Sequence, residues 1–214
     1  MKNKKVIIID LDGTLIDSSE GIFASARYAL EKTKLPPMAD VQLRAFIGPP
    51  LVQSFMKYCG LDEQDALEAV AIYREHYAEK GVKMYKPYDG IVDVLQSLKN
   101  SGKRLFVATG KPEHFARQIV NEAFPNCFEQ VFGLIDEGLK SGKTEIIARV
   151  LGAIKPLDHS NCVMIGDTGY YIIGARANAM SSIGAAYGFP ESRHSFNLAD
   201  AVAKTPSDFV KILL

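Results

Sequence analysis

The chain has 214 residues, 47% of them hydrophobic, with 25 basic and 25 acidic side chains. That length suits one large α/β domain or a core carrying an insertion, and the balanced charge argues against a nucleic-acid polymer bound through a basic surface. The basic start Met1-Lys2-Asn3-Lys4-Lys5 is followed by only four apolar residues, too short a run for a signal peptide or membrane span, so a cytoplasmic protein without a membrane partner is expected. Cys59, Cys127 and Cys162 are odd in number and far apart, which speaks against a disulfide framework or a metal-binding spacing.

The first element is the β-branched run Val6-Ile7-Ile8-Ile9, which suits a strand covered on both faces. It delivers into Asp10-Leu11-Asp12-Gly13-Thr14. Carboxylates at i and i+2 of an extended segment point the same way and can hold a hard cation, although Asp-Gly is also an ordinary turn signal. Helical spacing then runs through Ile22, Ala26, Ala29 and Leu30, with Ser18 or Ser19 as cap and Lys34-Leu35-Pro36-Pro37 as stop. Further helices are predicted from Asp40 to Gly48-Pro49-Pro50, from Leu51 to Tyr58, and from Asp62 to Lys80, closed by Gly81. After Tyr88 the pattern alternates. It predicts a helix over 89–101, a strand over 105–108, a helix over 113–124, a strand near 128–132, a helix over 143–152, and strands over 163–165 and 182–186.

Alternation of strands with helices implies an α/β fold with a doubly wound parallel sheet. The helical stretch directly after the first strand reads as an inserted all-helical cap, giving a core domain of 1–16 and 87–214 and a cap of 17–86. Such a cap can act as a lid that excludes water, with hinges near Asp17 and Lys86-Pro87.

Three other strand or helix ends match the first in kind. The strand over 105–108 ends in Thr109-Gly110-Lys111, Lys143 opens a helix, and the strand over 163–165 ends in Gly166-Asp167. Each is weak alone, since a strand-end Thr is commonly a cap, a lone Lys is commonly solvated and Gly-Asp is commonly a turn. Together, Asp10-Leu11-Asp12-Gly13-Thr14-Leu15, Thr109-Gly110, Lys143 and Gly166-Asp167 resemble motifs I to IV of the haloacid dehalogenase-like hydrolases, in order. Phe46-Ile47-Gly48-Pro49-Pro50-Leu51 and Lys143-Thr144-Glu145-Ile146-Ile147 resemble the phosphoglycolate phosphatase-like branch, whose members include 5'-nucleotidases and protein-tyrosine phosphatases.

The resemblance implies a Rossmann-like core and a Mg²⁺-dependent phosphatase acting on a small phosphorylated substrate, as a monomer or homodimer. It implies that Asp10 is the nucleophile, that Asp12 is the general acid/base, and that the carboxylates of Asp10 and Asp167 with the carbonyl of Asp12 bind the metal. Thr109, Lys143 and the N–H groups of Leu11 and Gly110 would hold the phosphoryl group. Phosphoglycolate, a nucleoside monophosphate, a sugar phosphate and phosphotyrosine all fit as substrates. Arg44 and the Gly48-Pro49-Pro50 turn are candidates to approach the leaving group, with a solvated surface the equal alternative for Arg44.

One position departs from the branch. Its pattern Gly-Asp-x-x-x-Asp reads here Gly166-Asp167-Thr168-Gly169-Tyr170-Tyr171, so a phenol, neutral at pH 7, stands at the second acidic place. The chain is then either an active enzyme with a thinner metal site or a degenerate, phosphate-binding relative. A sugar phosphomutase on the same scaffold is a further alternative. The segment Gly138-Leu139-Lys140-Ser141-Gly142-Lys143-Thr144 imitates a nucleotide-binding P-loop but is one residue short between its glycines. His76, His114, His159 and His194 show no paired ligand spacing.

Overall fold

Val6–Ile9 form β1, and each of its side chains is 0–1% exposed. In the computed structural model, which describes residues 1–135, 142–154, 158–190, 192 and 194–214, β1 lies inside a six-stranded sheet. Two-residue strands β2 (Ile16–Asp17) and β3 (Lys86–Pro87) flank the helical segment. The other strands are β4 (Arg104–Pro112), β5 (Gln130–Leu134), β6 (Cys162–Gly166), β7 (Ser181–Ala185) and β8 (Ala201–Ala203). The sheet order is β5-β4-β1-β6-β7-β8, every pairing parallel. Two compact units divide the described residues, Met1–Asp17 with Pro87–Leu214, and Ser18–Lys86.

Register places the chemistry. Ile9 pairs with Val107 on one side and Ile165 on the other, so Asp10, Thr109 and Asp167 all leave the same edge within two residues. The N–H of Asp10 still donates to the Ile165 carbonyl at 2.9 Å, which holds this residue in the sheet. Val6, Ile8, Phe106, Ala108 and Met164 pack with Ile146, Ile147 and Val150 of the helix Lys143–Ala153 and with Tyr171 and Ala175 of the helix Gly169–Ala177. The alternate residues Ile7, Ile9, Leu105, Val107, Val163 and Ile165 are equally buried. At roughly 1.5–3 kcal/mol per buried aliphatic side chain, both faces of the central strands resist any change that would expose them.

Strand β4 extends four residues past the expected 105–108, with its register broken between Ala108 and Pro112. Close approach to β5 explains this irregular end, since a Cβ at Gly133 would lie 2.5 Å from the Lys111 carbonyl oxygen. Glu113, the first residue of the next helix (Glu113–Ala123), fastens the junction. Its Oε2 accepts from the Gly133 N–H at 3.1 Å and from Arg149 at 2.8 Å, while Arg149 also donates to the Gly133 carbonyl at 2.6 Å. The strand near 128–132 lies two residues later, at Gln130–Leu134.

The second unit is helical. Ser19–Lys32 and Glu63–Glu79 pack together, with Ala26, Ala29 and Leu30 of the first and Ala66, Ala69, Val70, Tyr73 and Tyr77 of the second buried. Asp62 caps the second helix through Oδ1, which accepts the Asp65 N–H at 2.9 Å. Of the two serines expected as cap, Ser18 occupies the N-cap position of the first helix and makes no side-chain cap bond. The predicted helix from Asp40 is one turn, Asp40–Leu43, followed by a 3₁₀ turn at Arg44–Phe46. His76 accepts or donates at 3.0 Å to Ser25 and stacks on Tyr28 at 4.8 Å, a packing role inside this unit. No helix among the described residues is long and apolar enough to cross a membrane.

Candidate active site

The sheet edge beyond β1, β4 and β6 buries an unusual set of polar groups. Asp10 is 2% exposed, Thr109 and Asp167 are 1% exposed, and Lys111 is 8% exposed. Oδ1 of Asp10 accepts two hydrogen bonds, from the Leu11 N–H at 2.7 Å and from the Tyr171 hydroxyl at 2.5 Å. The Tyr171 oxygen in turn accepts the Gly110 N–H at 3.2 Å, so one phenol joins the ends of β1 and β4. Lys143 Nζ donates to Thr168 Oγ1 at 3.2 Å and lies 3.9 Å from the centroid of the Tyr171 ring, in cation–π range.

Asp12 is held differently. Its carboxylate is ion-paired with Lys111 Nζ at 3.1 Å, and both side chains are largely buried. Such a pair is costly to break from one side, because the remaining charge has no compensation. Asp167 sits in a cradle made by two glycines. Its Oδ2 accepts the Phe189 N–H at 2.9 Å, and a Cβ on Gly13 would come within 1.9 Å of the same oxygen. A Cβ on Gly188 would lie 2.6 Å from Asp167 Cβ and 2.0 Å from the Gly13 carbonyl. Nearby, the Tyr187 hydroxyl donates to the Thr14 carbonyl at 2.7 Å.

Burial dominates the electrostatics. It raises the pKa of Asp10, Lys143 opposes the rise, the Asp167 charge adds to it, and the Tyr171 hydrogen bond opposes it. Burial likewise raises Asp167, against the pull of Lys143 and of the Phe189 N–H. Tyr171 is pushed well above the usual phenol value by burial and by Asp10, which keeps its proton on the oxygen and makes it the donor to the carboxylate. Two buried carboxylates facing one lysine leave negative charge uncompensated, and their oxygen chemistry suits a hard divalent cation. Among the described residues there is no cluster of three or more acidic, His or Cys side chains that could hold a metal, so any such ion would use few carboxylates and more water.

The expected residues thus lie on one unit. Asp10, Asp12, Thr109, Gly110, Lys143 and Asp167 gather at the sheet edge, but two backbone donors are already engaged. The Leu11 N–H is turned to Asp10 Oδ1 and the Gly110 N–H to Tyr171, whereas the sequence resemblance implies that both hold phosphate. Lys111 as a partner of Asp12 is not among the residues expected from the sequence, although its place directly after Thr109-Gly110 is the signal. Nor is the Tyr187-Gly188-Phe189 loop, whose signal is a Gly just past the carboxyl end of a parallel strand. Of the imitation P-loop, residues 138–141 lie outside the described residues.

A family model described as haloacid dehalogenase-like hydrolase matches residues 7–185. A 5'-nucleotidase from Pseudomonas aeruginosa is 40% identical over 184 residues, covering 86% of this chain and 83% of the relative. Tyrosine-protein kinase PtkA from Mycobacterium tuberculosis is 33% identical over 211 residues, covering 98% and 69%. Among solved structures, a predicted phosphatase from Clostridium acetobutylicum superposes with a TM-score of 0.90 at 36% identity, covering 98% of this chain and 97% of that one. With the match spanning most of the chain and the strand-end constellation in place, this protein belongs to the haloacid dehalogenase-like hydrolases.

Proposed function

We propose that the chain is a phosphatase that hydrolyses a small phosphate monoester through a covalent phosphoryl group on Asp10. The observation that carries this reading is the gathering of Asp10, Asp167, Lys143 and the Asp12–Lys111 pair at one buried sheet edge. Asp10 attacks phosphorus in line, forming a bond from its carboxylate oxygen while the ester oxygen departs. Asp12, protonated when the ester is bound, delivers that proton to the departing oxygen and regains one from the water that hydrolyses the aspartyl-phosphate. Lys111 holds the Asp12 carboxylate in place for both transfers. Thr109 and Lys143 supply a hydroxyl and a positive charge to the transferring group, and removing one such donor commonly costs about 10²–10³ in rate.

The carboxylates of Asp10 and Asp167 and the carbonyl of Asp12 would hold Mg²⁺. When bound, it supplies Lewis-acid stabilisation of the phosphoryl charge and neutralises the two buried acids.

Two substrate readings are favoured by particular observations. The cap segment Phe46–Leu51 and the Lys143–Ile147 segment resemble the phosphoglycolate phosphatase-like branch, which supports a compact phosphorylated acid such as phosphoglycolate. The 40% identity to a 5'-nucleotidase supports a nucleoside 5'-monophosphate. A phosphate-release screen over phosphoglycolate, nucleoside 5'-monophosphates, sugar phosphates and phosphotyrosine, with and without Mg²⁺, separates these readings. Asp10→Asn serves as control, and hydrolysis that survives this substitution unchanged refutes the proposed mechanism.

A further inference from the structure

The buried phenol of Tyr171 has no place in the phosphatase chemistry above, yet it makes the shortest contact of the nucleophile. Its hydroxyl lies 2.5 Å from Asp10 Oδ1, within the range of a charge-assisted O–H···O⁻ bond, and its oxygen accepts the Gly110 N–H at 3.2 Å. The acceptor bond from Gly110 directs the hydroxyl proton to Asp10. The ring is fixed as firmly as its hydroxyl. It is 1% exposed, Lys143 Nζ sits 3.9 Å from its centroid, and Gly166 leaves it room, since a Cβ there would stand 2.6 Å from the ring carbons. A side chain locked on all sides presents its polar atom with little freedom to lose.

We propose that Tyr171 is a positioning residue for the nucleophile: with the Leu11 N–H it engages Oδ1 of Asp10, so bond formation to phosphorus falls to Oδ2. This rests on the reading of Asp10 as nucleophile. A carboxylate at position 171 would add a third negative charge beside Asp10 and Asp167 and would need a cation to hold the site together. The phenol instead contributes a neutral donor, so the nucleophile is oriented and partly compensated before any cation arrives. The site's organisation in this chain therefore depends less on the metal than a third carboxylate would make it.

Tyr171→Phe tests the proposal, because it keeps the ring against Gly166 and Lys143 and removes only the hydroxyl. With a substrate from the screen, kcat is expected to fall on the order of 10²-fold, as for a misplaced reacting group, while KM stays within about twofold. Independently of hydrolysis, thermal unfolding is followed in chelator and in saturating Mg²⁺. The rise in midpoint on adding Mg²⁺ is expected to be several degrees larger for Tyr171→Phe than for the parent chain, because the cation replaces a partner the variant has lost. Equal Mg²⁺ increments in the two proteins, or a kcat within twofold of the parent, overturns the proposal. If Asp10→Asn hydrolyses at the parental rate, the phosphatase mechanism fails instead, and the unfolding comparison still decides whether Tyr171 is the partner of Asp10.

Discussion

Gly13→Ala tests whether the fit of Asp167 against the first strand's turn is what makes the site. Gly13 has φ +78°, and Gly102, in the same unit, has φ +80°. An L-residue in that region costs about 1–2 kcal/mol, offset by up to about 1 kcal/mol from the stiffer unfolded chain. At Gly102 the added Cβ meets nothing within 4 Å, so Gly102→Ala measures the backbone cost alone, about 1 kcal/mol. At Gly13 the Cβ meets Asp167 Oδ2 at 1.9 Å, Asp167 Cγ at 2.6 Å and Phe189 Cδ2 at 2.9 Å. The carboxylate has to move, at about 1–3 kcal/mol for overpacking, and the Phe189 N–H bond to it is stretched or lost. Gly13→Ala is therefore expected to exceed Gly102→Ala by about 2–4 kcal/mol in urea unfolding, or by roughly 5–15 °C in midpoint. Displacing Asp167 also lowers phosphate release on the order of 10²-fold, while Gly102→Ala leaves it unchanged. If the two variants unfold at the same urea concentration and hydrolyse at the same rate, the packing argument for the Asp167 cradle is wrong.

Lys111→Met removes the ion-pair partner of Asp12, so kcat is expected to fall on the order of 10²-fold with the midpoint lowered by a few degrees; wild-type kcat would show that Asp12 needs no such partner. In chelator, stability is expected to fall as pH rises. The folded-state pKa values of Asp10 and Asp167 lie above the unfolded ones, so their contribution is fully present below pH about 4 and is lost as pH climbs through the raised values. Urea midpoints from pH 5 to pH 9 read this directly, and a profile equally steep in Asp10→Asn would contradict the assignment to that residue. Asp62→Ala removes the cap of the Glu63–Glu79 helix and is expected to cost about 1 kcal/mol in urea unfolding without altering kcat.

Much of this was legible in the sequence because the central strands are covered on both faces. Val6–Ile9 shows no alternation, and an unbroken β-branched run is what a parallel strand with two packed faces requires. With β1 placed, Asp10, Thr109 and Asp167 follow as the ends of three neighbouring parallel strands, and Lys143 as the start of a helix packed against them. The extension of β4 to Pro112 was not legible, since it depends on Gly133 lying close against the Lys111 carbonyl, a contact between segments distant in sequence. The helix Gly169–Ala177 and strand β8 were not legible either. The first carries a phenol where an acid was expected, and the second has only three residues. The engagement of Tyr171 with both Asp10 and Gly110 depends on three-dimensional packing; the sequence shows only that an acid is missing there.

The proposed hydrolysis depends above all on Asp10 carrying the phosphoryl group. The protein is mixed with a hydrolysable phosphate ester in Mg²⁺, quenched in acid within a turnover and digested, and the peptide holding Asp10 is examined by mass spectrometry. A phosphoryl group on that peptide, absent from the same peptide of Asp10→Asn, is the predicted result. Steady hydrolysis with the peptide unmodified at every quench time, or an equal phosphoryl signal in Asp10→Asn, would contradict it.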